Sequence, residues 1–143
     1  SLGADTVYAI DCVKERMDLA AKFGAKPLNF KTQDIIAIVK DATDGRGADC
    51  VLEAVGSPQA TRTAFDMLRP GGTLSTVGVH TESTLNFNPV EAYDKNITFR
   101  IGRCPARHYM SLLPKVIKEF KTDVSQVFSH KMQLSEGNEG EHP

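Results

Sequence analysis

The sequence is short of cysteine, of excess charge of either sign and of long apolar runs, and each shortage removes a class of protein. The three thiols, Cys12, Cys50 and Cys104, stand far apart. An odd number without close pairs makes neither a disulfide framework nor a structural zinc site. Reduced cytoplasmic thiols, two of them in or beside strands, are the expectation. The formal net charge of -1 leaves no electrostatic footprint for nucleic acid or an acidic membrane surface. No apolar run is long enough to span a bilayer. The opening Ser1–Leu2–Gly3–Ala4–Asp5 has neither a basic nor an apolar region and does not read as a signal peptide. His80, His108 and His130 share no metal-ligand spacing with one another or with the cysteines, so satisfied or exposed histidines are expected.

What is present is globular. A chain of 143 residues, 41% hydrophobic and 24% charged, is one domain by size and can bury a real core. Thr6–Val7–Tyr8–Ala9–Ile10–Asp11 reads as a short buried strand ending on an acid. Lys14 to Phe23 follows as a helix with Met17, Ala20, Ala21 and Phe23 on one stripe, closed by Gly24. Leu28–Asn29–Phe30 is a short strand and Gln33 to Ala42 a second helix, apolar on more than one face. Thr43–Asp44–Gly45–Arg46–Gly47 is a turn cluster.

Ala48 to Val55 is another buried strand, stopped by Gly56–Ser57–Pro58. Ser57 suits an N-cap and Pro58 a first helical turn. The helix Gln59 to Leu68 turns Ala60, Ala64, Phe65 and Leu68 inward. Arg69–Pro70–Gly71–Gly72 breaks it, and Thr73 to Val79 is the next strand. Strand–helix alternation with short joints predicts a parallel sheet covered on both faces.

His80 to Asn96 is polar and long for a loop, hence functional or partly structured. Ile97 to Gly102 alternates like an edge strand with one wet face. Tyr109 to Phe120 is a helix with Leu112, Leu113, Val116, Ile117 and Phe120 as its core stripe. Val124 to Leu134 reads as extended. Residues 135–143 lack apolar content and are expected to fray as a disordered or appended tail.

An acid at the carboxyl end of such a strand is where a dinucleotide-binding fold holds the adenosine ribose. Its oxygens accept from the two ribose hydroxyls, and its charge repels the extra phosphate of NADP. Asp11 equally suits a cap for the helix that follows. Arg16 also reads as a solvated charge, Asp94–Lys95 as a surface pair, and Glu53 as a structural acid in a buried strand. Taken singly, the valine–glycine strand ends read as core and turn.

The order of short motifs narrows the reading. Gly3–Ala4 precedes Ala9–Ile10–Asp11, with Arg16 beyond. Ala20–Ala21–Lys22–Phe23–Gly24–Ala25, Gly45–Arg46–Gly47–Ala48–Asp49 and Glu53–Ala54–Val55–Gly56 come next. Leu68–Arg69–Pro70–Gly71–Gly72, Val77–Gly78–Val79 and Ser129–His130–Lys131–Met132 complete the series. From Gly3 to about Leu134 the chain resembles the coenzyme-binding domain of the medium-chain, zinc-dependent alcohol dehydrogenases. The resemblance implies a Rossmann-like, doubly wound parallel sheet over residues 1–134 and NAD as cofactor. Asp11 would bind the ribose diol with Arg16 beside it, and Val55 and Gly56 would line the adenine side of the groove. Backbone at Val77 and Val79 would bond the nicotinamide carboxamide, with Gly78 keeping the chain close to the ring. Backbone near Cys104 would complete that contact.

Measured against the family, two parts are missing from the sequence. One is the domain that carries the catalytic zinc, so the chain alone is expected to be inactive in alcohol oxidation. The other is the first strand with its glycine-rich turn, which cradles the pyrophosphate, so NAD affinity is expected to be weakened. With strand order 3-2-1-4-5-6 the missing strand is central. Three ways of closing the gap follow: pairing of Thr6–Asp11 with Asp49–Ala54, a substitute strand from Val124 to Leu134, or strand exchange with a second copy. The resemblance also implies a homodimer through Ile97–Ile101. Two further readings stand beside it: a non-catalytic nucleotide-binding or dimerisation module, and a zinc-free NADPH quinone-reductase relative, against which Asp11 argues.

Overall fold

The computed structural model describes residues 3–120, 123–128 and 131–136. Thr6–Cys104 forms one compact unit, and the segment from Pro105 belongs to another. In the first unit the order is β1 (Tyr8–Asp11), α1 (Lys14–Lys22), β2 (Lys26–Asn29), α2 (Ile35–Asp41) and β3 (Ala48–Glu53). It continues through α3 (Pro58–Met67), β4 (Leu68–Thr76), α4 (Pro89–Asp94) and β5 (Thr98–Ile101). Every strand pairing is parallel, β1 with β2, β3 with β4 and β4 with β5. The predicted parallel α/β architecture is therefore present.

Local chemistry explains the boundaries. Gly24 at φ +87° closes α1, and the N–H groups of Gly24 and Ala25 donate to the carbonyls of Ala21 and Ala20. The Asp34 carboxylate accepts from Ala37 N–H at 3.0 Å to start α2. Ser57 Oγ accepts from Ala60 N–H at 3.1 Å to start α3, with Pro58 in its first turn. Pro27 lies inside β2, which is possible because β2 pairs on one side only.

The sheet is in two pieces: β1–β2 and β3–β4–β5. β1 does not pair with β3, and the described part of Val124 to Leu134 forms no strand, so two of the expected ways of closing the gap are not taken. A shared apolar layer joins the sheets instead. Leu28, Ile35, Val39 and Met67 form one buried cluster, on which Tyr8 and Ile10 of β1 and Val51 of β3 all pack. Val51 also packs on the second cluster, Ala64, Phe65, Leu68 and Leu74. Strands expected to be buried are consequently half open. All of β1 is half-buried, and in β3 Cys50 is exposed and Leu52 is 75% exposed.

Other expectations need correction. Arg69–Pro70–Gly71–Gly72 does not separate α3 from β4. It lies within β4 as an irregular start, where Ala48 pairs with Leu68 and the register then shifts so that Cys50 pairs with Thr73. The loop after β4 contains α4, started by a capping box: Asn88 Oδ1 accepts from Glu91 N–H, and the Glu91 carboxylate accepts from Asn88 N–H. Lys95 does not pair with Asp94 but donates to the Phe65 carbonyl and lies over the Phe65 ring.

The second unit holds α5 (Ala106–Phe120), three residues longer at its start than the sequence suggests, with Pro114 inside it. Its expected core stripe is not buried: Leu112, Leu113 and Val116 are exposed and Ile117 is half-buried. Val124–Val127 and Leu134–Glu136 are 3₁₀ turns rather than extended chain. Asp123 causes the first by accepting from both the N–H and the hydroxyl of Ser125. Ser129 and His130 lie outside the described residues, as do all residues after Glu136.

Candidate functional site

The carboxyl ends of the parallel strands carry the candidate residues, where an open α/β sheet places its ligand. At the end of β1, Asp11 divides its oxygens between two tasks. Oδ1 accepts from the N–H groups of Cys12 (2.7 Å) and Val13 (2.9 Å), closing the turn into α1. Oδ2 faces Arg16 Nη1 at 3.6 Å. The cap and the ligand-binding reading of Asp11 are thus compatible, because one oxygen serves the turn and the other meets only the guanidinium of Arg16. Burial pushes the Asp11 carboxyl up, but the Val13 and Cys12 N–H groups and the Arg16 guanidinium outweigh it and hold the group below its usual range. Arg16 is itself largely solvated.

A second group lies at the ends of β3 and β4. Val55, Val77 and Val79 are exposed, at 72%, 51% and 79%, and form an apolar rim. Gly56 is buried and Gly78 half-buried beneath it. Their backbones touch. A Cβ on Gly56, which sits at φ +84°, would lie 2.2 Å from Val79 O, and one on Gly78 would lie 2.2 Å from Gly56 N. Only glycine fits either position. Val77 N–H donates to Glu53 O at 2.9 Å, so the rim continues the β3–β4 ladder. Past β5, Gly102 N–H donates to Thr76 O at 3.3 Å, which brings the chain leading to the exposed Cys104 alongside the end of β4.

Glu53 is a buried acid whose oxygens are filled by nearby donors. Its carboxylate accepts from Val55 N–H and Gly56 N–H, both at 2.7 Å, and from the Thr76 hydroxyl. His80 Nε2 is 2.8 Å from Thr76 Oγ1 and 3.3 Å from Glu53 Oε2. Burial pushes the Glu53 carboxyl up; the hydroxyl, the two amides and His80 outweigh it and leave it below its usual range. Thr76 and the link between His80 and Glu53 were not visible in the sequence. The signal was an acid within an apolar strand, which requires donors from somewhere. Among the described residues no three His, Cys, Asp or Glu side chains gather to hold a metal ion, and no helix is long and apolar enough to cross a membrane.

Comparison with known proteins adds to this geometry. Residues 1–122 match the family model described as zinc-binding dehydrogenase. The chain is 40% identical over 136 residues to the zinc-type alcohol dehydrogenase B of Aspergillus flavus, covering 94% of this chain and 32% of that protein. It is 35% identical over 138 residues to a probable zinc-binding alcohol dehydrogenase of Mycobacterium tuberculosis, covering 96% of this chain and 35% of the relative. Among solved structures, the alcohol dehydrogenase TADH of Thermus sp. ATN1 superposes with a TM-score of 0.90 at 34% identity, over 98% of this chain and 41% of its own. The chain thus spans about a third of the length of the curated relatives it matches.

Proposed function

Because the chain belongs to the zinc-binding dehydrogenase family, we propose that it provides the NAD-holding half of a zinc- and NAD-dependent alcohol dehydrogenase. The observation that carries this reading is Asp11: a carboxylate at the end of a parallel strand, held ionised by two backbone amides on one oxygen, with the other facing the largely solvated Arg16. Such a group accepts from a ribose diol and repels a phosphate in its place. The Val55–Val77–Val79 rim offers an apolar surface for the flat rings of a dinucleotide, and the touching glycines let backbone approach closely. Arg16 flanks the ribose, and backbone at Val77, Val79 and near Cys104 meets the carboxamide.

When bound, NAD supplies the nicotinamide carbon that takes up hydride from an alcohol. The chain's own residues fix where that ring lies. Zinc does not fit the described residues, which gather no ligand set for it. The reading places the whole protein in the cytoplasm, on the three free thiols, and pairs it with a second copy along the open edge of β5.

The test is a titration of the isotope-labelled chain with NAD and with NADP, followed by amide NMR. NAD is expected to shift the amides of Asp11 to Val13 and of Val77 to Val79, and to bind at least about tenfold more tightly than NADP. Asp11→Asn keeps the turn but loses the charge, and should bring the two affinities within about twofold. Equal binding of NAD and NADP by the unaltered chain overturns the role of Asp11.

A further inference from the structure

The buried cluster of Glu53, Thr76 and His80 has no part in holding the ribose, and its hydrogen count constrains what it does. Glu53 is 4% exposed and Thr76 1%. A threonine hydroxyl carries one hydrogen, and here it goes to Glu53 Oε2. The donors around the Glu53 carboxyl keep it ionised, so it has no hydrogen to return. The 2.8 Å contact between Thr76 Oγ1 and His80 Nε2 therefore needs its hydrogen on Nε2. The network assigns His80 the Nε2–H tautomer, donating to Thr76 and, at 3.3 Å, toward Glu53. Nδ1 is left as the basic atom.

The same carboxylate holds the rim above it. Oε1 accepts from Val55 and Gly56 N–H. The Glu53 carbonyl accepts from Val77 and, more distantly, from Gly78. Gly56 and Gly78 are in backbone contact, so neither strand end moves without the other. His80 follows Val79 directly and ties the far end of the segment back to the same acid. Val77–Gly78–Val79 is thus held at its start by the Glu53 backbone carbonyl and at its far end, through His80, by the Glu53 carboxylate, while its valine side chains remain exposed.

We propose that Glu53 is a positioning residue which, through Thr76 and His80, locks the Val77–Val79 segment and one His80 tautomer, so that this backbone meets the carboxamide of a nicotinamide ring. The ligand rests on the function proposed above; the lock rests on the geometry alone.

The experiment compares the whole chain with Thr76→Val, Thr76→Ser and Glu53→Gln. At about pH 8, where an ordinary histidine is neutral, long-range proton–nitrogen NMR should show the Nε2–H tautomer of His80 in the unaltered chain. Thr76→Val should give a tautomer mixture and faster amide exchange at Gly56, Val77 and Gly78, and Thr76→Ser should restore both. Nicotinamide mononucleotide should bind about tenfold more weakly to Thr76→Val and to Glu53→Gln, the worth of one or two hydrogen bonds, with AMP binding unchanged. A tautomer mixture in the unaltered chain, or a tautomer unchanged in Thr76→Val, overturns the lock. If Glu53→Gln does not fold, the threonine pair still decides. The predicted tautomer and exchange changes, with no response to either nucleotide, would support the lock and overturn the cofactor reading.

Discussion

Glu53 shows how one side chain is decided by what surrounds it. A carboxylate 4% exposed is costly unless its lone pairs are filled, and here the Thr76 hydroxyl and the Val55 and Gly56 amides fill them. Those donors favour the ionised form, so the folded-state pKa lies below the ordinary value of 4.5. A lowered carboxyl pKa stabilises the fold above the unfolded value, and the contribution is lost as pH falls through the folded one. Thermal unfolding followed by circular dichroism should therefore show the largest gap between the unaltered chain and Glu53→Gln near neutrality. The gap should close as pH falls below about 4. A gap that widens on acidification would contradict the assignment. At this scale the sequence disclosed Asp11, because strand and helix periodicity place it at a strand end. It did not disclose Thr76 or His80, because their partner is distant in the chain and brought near only by the β3–β4 pairing.

Elements were legible where their signals are local. The helices over Lys14–Lys22, Ile35–Asp41 and Pro58–Met67 follow local apolar patterns, with Gly24 closing the first and Ser57 capping the third. The capping box of α4 was equally local, with Asn88 and Glu91 three residues apart. The helix it opens is too short for a repeating apolar stripe to mark it in the sequence. Arg69–Pro70–Gly71–Gly72 has breaker composition, yet pairing with β3 holds it in a bulged strand start, which local propensity does not report.

Alternation marks β5 as an edge strand, and among the described residues it pairs with β4 alone. Because Gly102 N–H points to Thr76 O, alternation turns the N–H of the exposed Ile101 toward that open edge. If a second copy pairs there, light scattering should find a dimer, and Ile101→Pro should give a monomer with an unchanged circular dichroism spectrum. A dimer that survives the proline would exclude this edge.

Across the whole molecule, stability is expected to be uneven. In the first unit β4 lies between two strands and carries Leu74, which is 0% exposed. By contrast β1 has one partner, is half-buried throughout, and connects to the larger sheet through side chains packed on Leu28, Ile35, Val39 and Met67. A two-stranded pair is marginal without such support. Native-state hydrogen exchange should find the Tyr8–Asp11 amides opening at lower free energy than those around Leu74. Leu74→Ala should lower global stability by about 2–5 kcal/mol. Equal protection of the two regions would mean that the shared side-chain layer is as strong as a backbone ladder.

Periodicity, caps and turn residues are properties of neighbouring positions, so the sequence alone was enough for the βα alternation, the parallel class and the acid at the end of β1. The division of the sheet, the exposure of Leu52 and the α5 stripe, and the Glu53–Thr76–His80 cluster depend on which distant surfaces meet. Burial and hydrogen-bond satisfaction are settled by partners far apart in the chain, and only the folded arrangement determines which partners those are.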